Sequence, residues 1–264
     1  MKKKFYALYK IFLINAFSNK IALMFNIVFP VIYFAISNSP VFINNYTVSK
    51  DKLISASAYY FAYIALTTTL NSVILAMVEY RDYGYYKVIY MVTNSKYLVL
   101  ISQFLSQWTF LIIELFLFNL ITTLMFKSFA YLGYLLLTTI IAAIVFVLPL
   151  TMGLYFLLTV KLRLQTYNIV ITLIILLSFM VSAFEAKNEI LNLLLLCTPV
   201  KYLMTGYEVI MQMMFSRVNW ANLINLLLVI LIYVLFGMIF IAKQNISTIF
   251  EKNSWKVTIW KLSI

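Results

Sequence analysis

The side chains with the most chemical potential in this 264-residue chain are the few polar groups inside its apolar runs. Glu114 is the one acid within such a run, and Gln103 and Gln107 precede it. At 100° per residue the three fall within about 40° on one helix face, which is then polar over roughly 16 Å. A second stripe, Tyr60, Tyr63, Thr67 and Asn71, falls within about 80° on the preceding apolar segment. Consecutive segments tend to be neighbours, so the two stripes are expected to lie together. Two uses are open to such groups: hydrogen bonds that hold helix to helix, or the wall of a solute path. Asn26, Pro30 and Tyr33 give an earlier segment a polar, kinkable face, for which packing is the simpler role.

Other chemistries are excluded by residue type. With no His there is no histidine-based catalysis and no histidine zinc site. A single Cys, Cys197, rules out an internal disulfide framework. Glu114 alone supplies neither a proton relay nor the paired groups of an intramembrane hydrolase. None of the five glycines (Gly84, Gly133, Gly153, Gly206, Gly237) belongs to a G-x-x-x-x-G-K-[ST] phosphate loop, so the chain does not bind ATP in that way.

The elements that must position these groups follow from composition. Apolar residues make up 64% of the chain and charged residues 11%, an excess that a water-soluble core of this length cannot hide. The expectation is an all-α integral membrane protein. A bilayer core of about 30 Å takes ~20 helical residues. Six stretches qualify: Ile21 to Ser37, Ile54 to Val78, Tyr97 to Phe126, Phe129 to Thr159, Thr166 to Phe184, and Leu223 to Ala242. Their apolar residues are continuous and do not alternate, which excludes a barrel.

Net charge is +12, and its placement decides orientation. The basic residues sit at the ends of apolar runs, which is a membrane pattern and not a nucleic-acid surface. With six spans, fourteen Lys and Arg fall on the side of both termini and six on the other, so both termini are expected in the cytoplasm. The 17 Lys against 3 Arg match an AT-rich bacterial genome, and hence a bacterial plasma membrane.

The organisation expected is one transmembrane domain over 1–264: an interfacial helix at 1–20, a six-span bundle at 21–242 and a cytoplasmic tail at 243–264. In the first part Phe5, Leu8, Tyr9, Phe12, Leu13 and Ala16 form a stripe among Lys3, Lys10 and Lys20, suited to a helix on the inner membrane surface. The apolar run continues without a small-residue cleavage site, so it does not read as a secretory signal. In the tail, Trp255 and Trp260 among Lys252, Lys256 and Lys261 read as a second interfacial anchor. Between Glu185 and Asn222 the apolar runs Ile190 to Cys197 and Val209 to Phe215 are too short to cross. Pro199 breaks any continuous helix there, so two short re-entrant helices in the outer leaflet, joined at Thr198–Pro199, are expected before the last span.

The cytoplasmic loop Glu79 to Lys96 is the most informative segment. Glu79, Arg81 and Asp82 crowd its start, Gly84 can turn the chain, and Tyr85, Val88, Ile89 and Val92 fall at helical spacing. Thr93 to Ser95 ends that short helix. In this layout the chain resembles the permease subunits of type-2 ATP-binding-cassette exporters. Those proteins carry, between their second and third spans, an acidic–basic run, a Gly, a short apolar helix and a Thr/Pro/Ser–basic turn. Glu79, Arg81, Asp82, Gly84, Lys87, Ile89, Thr93, Ser95 and Lys96 are similar to that pattern, and Tyr85 lies within the same docking segment. Here Glu79 lies five residues before Gly84 where four is usual, Tyr85 stands for a frequent Thr, and Asn94 for the customary Pro. A Pro-containing element before the last span is similar to Thr198-Pro199-Val200-Lys201-Tyr202 with Gly206 and Glu208.

The resemblance implies a coupling helix in the loop that seats on a separate ATPase subunit. It also implies two ATPase subunits, which hold ATP and Mg, and a second permease subunit, identical or not. This chain would then be a non-catalytic exporter subunit. The Tyr60, Tyr63, Thr67, Asn71, Gln103, Gln107 and Glu114 stripes would wall the path, and Pro199 and Tyr202 would belong to an outer re-entrant element. The substrate expected is amphipathic or hydrophobic; by family analogy the candidates are peptide toxins, bacteriocins and antimicrobial compounds. The alternative is a non-transporting membrane protein of the bacteriocin-immunity type, which would bind a peptide without an ATPase.

Overall fold

A computed structural model describes residues 2–18, 20–39, 50–160, 162–184, 188–215 and 220–243. Among them the chain is helical throughout, with no strand. The C-terminal anchor expected around Trp255 and Trp260 lies outside the described residues.

The chain opens with α1 (Lys2–Ser18) and α2 (Lys20–Ser37), the latter with Pro30 in its interior. A long rod follows: α3 (Lys50–Thr67), a π-helical stretch Thr68–Leu75, and α4 (Ala76–Asp82). After Tyr83 and Gly84 come the short α5 (Tyr85–Thr93) and the 30-residue α6 (Lys96–Met125). The next rod holds α7 (Leu132–Ala142), a second π-helical stretch Ala143–Val147, α8 (Leu148–Leu154) and α9 (Phe156–Thr159). It is followed by α10 (Leu164–Ser182), α11 (Glu189–Leu196), α12 (Pro199–Met214) and α13 (Trp220–Lys243).

Among the described residues five helices are long and apolar enough to cross a bilayer: Leu53–Asp82, Tyr97–Met125, Phe129–Thr159, Leu164–Ser182 and Trp220–Ile241. The chain is a multi-pass helical membrane protein. α11 and α12 meet at 101°, and α2 offers a shorter apolar stretch, Asn26–Ser37. The bend falls where Thr198 is extended and Pro199 begins a new helix. α12 is longer than its apolar run suggests, because Lys201, Thr205, Glu208 and Gln212 recur on one half-exposed face while Val200, Leu203, Tyr207 and Ile210 recur on a buried one.

Helices in a membrane associate by close packing and interhelical hydrogen bonds, since lipid is as apolar as their side chains. Both devices are present. A Cβ on Gly237 would meet the Met152 carbonyl oxygen at 2.5 Å, and one on Gly206 would meet the Phe146 ring at 2.8 Å. These glycines let α13 approach α8, and α12 approach the second π stretch. Trp108 Nε1 donates to the Ala143 carbonyl at 3.4 Å, and Tyr233 Oη to the Cys197 carbonyl at 2.7 Å, which pins α13 to the bend. α10 and α13 present rows of exposed Leu, Ile and Met outward, a surface suited to lipid and not to water.

Candidate functional site

The loop after α4 is built by two left-handed residues. Gly84 has φ 77° and Asn94 φ 55°, and α5 spans the nine residues between them. A Cβ at Gly84 would meet no neighbouring atom, so the requirement for glycine there is one of backbone conformation. Asn94 donates its N–H to the Tyr90 carbonyl at 2.7 Å and closes the helix. Proline, locked near φ −65°, cannot adopt this turn, whereas asparagine tolerates it, so Asn94 suits the conformation found here. Ser95 then caps α6 by accepting from the Leu98 N–H at 3.4 Å.

α5 is two-sided in an unusual sense. Tyr86 and Thr93 are buried, and burial pushes the Tyr86 hydroxyl above the ordinary tyrosine range, so it stays protonated. Tyr85, Val88, Met91 and Val92 face outward at 60%, 59%, 67% and 66% exposure, with Tyr83 beside them. Ile89 and Lys87 lie between the two faces. Lys4 of α1 donates to the Val92 carbonyl at 2.8 Å and so holds the far end of α5.

Arg81 and Asp82 turn inward. The Arg81 guanidinium, 8% exposed, donates to the carbonyls of Leu158, Val160 and Leu162 at 3.2, 3.3 and 3.4 Å. Its Nε pairs with the Asp82 carboxylate at 3.0 Å, and its charge lies 5.6 Å from the centre of the Tyr167 ring. The Tyr167 hydroxyl donates to the Leu157 and Val160 carbonyls. The end of α9 and the segment just beyond it present backbone carbonyls, and one arginine and one tyrosine donate to them. The loop is thereby fastened to the end of the α7–α9 rod and the start of α10. Glu79 is half-buried at the base of the loop, and Tyr80 accepts from Asn15 Nδ2 of α1 at 2.8 Å.

Deep in the bundle, Glu114 is fully buried on α6. Asn26 Nδ2 of α2 donates to its Oε1 at 3.0 Å, and Thr68 Oγ1 donates to its Oε2 at 2.7 Å. Thr68 is the first residue of the π-helical stretch. Such stretches recur at functional positions because they break the regular ladder. Gln103 reaches the same stretch, its Nε2 donating to the Ser72 carbonyl at 3.3 Å. The side-chain oxygens of Gln103 and Gln107 are buried without a hydrogen-bond partner.

The residues expected to share a path are thus divided. Gln103, Gln107 and Glu114 all face the interior. Thr67 is buried but returns its hydroxyl to the Tyr63 and Ile64 carbonyls of its own helix, and Asn71 is exposed. Thr68 makes the interhelical bond and lies one position off the expected stripe. Asn26 is the other partner; its presence in an apolar run was the available signal, but nothing in sequence joins it to a residue 88 positions away. Tyr60 and Tyr63 take part in an aromatic cluster with Tyr33. Pro199 begins α12, and Tyr202 is fully buried between the Phe146 and Tyr233 rings.

Among the described residues no group of three or more His, Cys, Asp or Glu could hold a metal ion. Comparison with protein-family models, with curated proteins and with solved structures finds no match to this chain.

Proposed function

We propose that the chain is the membrane-spanning subunit of an ATP-driven exporter, moving an amphipathic or hydrophobic substrate. α2, the five long helices and the bent α11–α12 pair would then be the six-span bundle with its re-entrant element, set in a bacterial plasma membrane with both termini cytoplasmic. A separate pair of ATPase subunits would bind ATP and Mg and seat on α5, and a second permease subunit would complete the path.

The observation that carries this reading is the construction of α5. It is a nine-residue helix set between two long apolar rods by the left-handed turns at Gly84 and Asn94. Its outer face is apolar and exposed, which suits a docking surface for a soluble partner. Its near end follows α4, which the Arg81 clasp fastens to the α7–α9 rod, and its far end is bonded by Lys4 of α1. A push on α5 would therefore reach several helices at once, including the rod that holds Thr68 against Glu114. That linkage is the physical requirement for a bundle driven by an external motor.

The test is co-purification from detergent with an ATP-binding-cassette ATPase subunit co-expressed from the same genome. A stable complex that is lost in Val88→Asp, while the variant still inserts and elutes as a monodisperse species, is the expected result. Absence of any complex with the unaltered chain would refute the proposal.

A further inference from the structure

Six aromatic rings close a circuit between α2, α3 and α10. Phe29 stacks with Tyr33 at 6.5 Å between ring centres, Tyr33 meets Tyr60 at 6.4 Å, and Tyr60 meets Tyr59 at 5.3 Å. Tyr59 touches Phe179 at 5.4 Å, Phe179 touches Tyr63 at 5.7 Å, and Tyr63 returns to Phe29 at 6.3 Å. Five of these rings, with Pro30, line a half-open cavity of about 190 Å³ between α2 and α3: Phe29, Tyr33, Tyr59, Tyr60 and Tyr63. Phe29 and Tyr33 are exposed on the outer surface of the bundle, so the cavity opens sideways toward the bilayer or a neighbouring subunit.

The surroundings give this box a sign. Among the described residues no Lys or Arg lines it. Aromatic faces carry negative charge density, and clustered faces attract cations. Asn26 lies about one turn from Phe29 and Pro30 on α2, and Thr68 little more than a turn beyond Tyr63; between them they hold Glu114. A carboxyl group from α6 thus sits one layer deeper, held by donors on or next to the same two helices. Pro30 has no N–H, so it does not donate to the Asn26 carbonyl one turn back. A cation bearing N–H groups would need several acceptors, whereas a quaternary one needs only faces and size.

We infer that this tyrosine box is a binding site for a small quaternary or otherwise alkylated organic cation, reached from within the membrane. The inference deepens the exporter reading by naming a substrate class. It rests on that reading for what the ligand is for, not for whether it binds.

The experiment is equilibrium binding of radiolabelled tetraethylammonium to the purified full-length chain in phosphatidylglycerol nanodiscs, with no ATPase present. The unaltered protein is expected to prefer the cation over its neutral isostere tetraethylmethane by about tenfold or more, read as competition. Tyr33→Leu and Tyr63→Leu are each expected to weaken binding by roughly three- to tenfold, and the matching Phe variants by less than about twofold, because the face is kept. Loss of the probe on adding phosphatidylcholine would assign the site to a lipid head group; unchanged binding would assign it to a free solute. Equal competition by tetraethylmethane, or full binding in both Leu variants, would overturn the inference, and the first comparison needs no variant to fold. Binding in a chain that recruits no ATPase would leave the box standing and remove the exporter, and the reverse pair of results would do the opposite.

Discussion

Two of the polar clusters in this apolar molecule, those at Arg81 and at Glu114, are built on opposite principles. The Arg81 cluster uses a group that is always charged, and satisfies it with an adjacent carboxylate and three backbone carbonyls at the end of a rod. The Glu114 cluster uses a carboxyl held only by neutral donors, one from α2 and one from a π-helical stretch. The first ties elements that must stay together, because removing any partner strands a charge. The second joins three helices through bonds that can be exchanged at modest cost. A machine driven from outside needs both: a rigid handle and a bundle that can repack.

The contrast can be broken by substitution. Arg81→Ala carries the largest expected effect, about 3–5 kcal/mol, since it leaves Asp82 and three carbonyls unpaired. The melting midpoint in detergent should fall by roughly 10 °C, and Arg81→Lys should recover only part, because an ammonium cannot span that fan of acceptors. Glu114→Leu comes next, at about 1–3 kcal/mol, by orphaning the Asn26 amide and the Thr68 hydroxyl. Combining it with Asn26→Leu should cost less than the sum of the two, and strict additivity in that double-mutant cycle would show that the bond is not made. Glu114→Gln should change the midpoint by less than about 1 kcal/mol equivalent while altering export of a bulky substrate. Lys4→Ala is the smallest, below about 0.5 kcal/mol, because its bond to Val92 is exposed.

How much of this was legible in the sequence depends on the range of the signal. Apolar length alone located the long helices: Phe129 to Thr159 is matched to the residue, and Ile54 to Val78 grows only to Leu53–Asp82. The break at Thr198–Pro199 was legible because proline enforces it, whereas the length of α12 was not, because Lys201 and Glu208 interrupt its hydropathy but not its helix. The ends of α5 followed from Gly84 and the Thr93–Ser95 turn. The inward turn of Arg81 did not, since a charged residue in a loop looks the same whether it meets water or the carbonyls of a helix 77 residues on. Glu114 was legible as an anomaly, but its partners depend on which three helices touch, and on a π-helical stretch that no local pattern announces. The tyrosines of the box were visible singly; the closing contact at Phe179 comes from a helix over a hundred residues later.

The most direct test of the central claim uses Val88, on the exposed face of α5. In a Cys197→Ser background, Val88→Cys should react with a membrane-impermeant maleimide in inverted vesicles and not in intact cells, and co-expressed ATPase subunit should shield it. Labelling from the outside of intact cells, or labelling unaffected by the ATPase, would contradict the account.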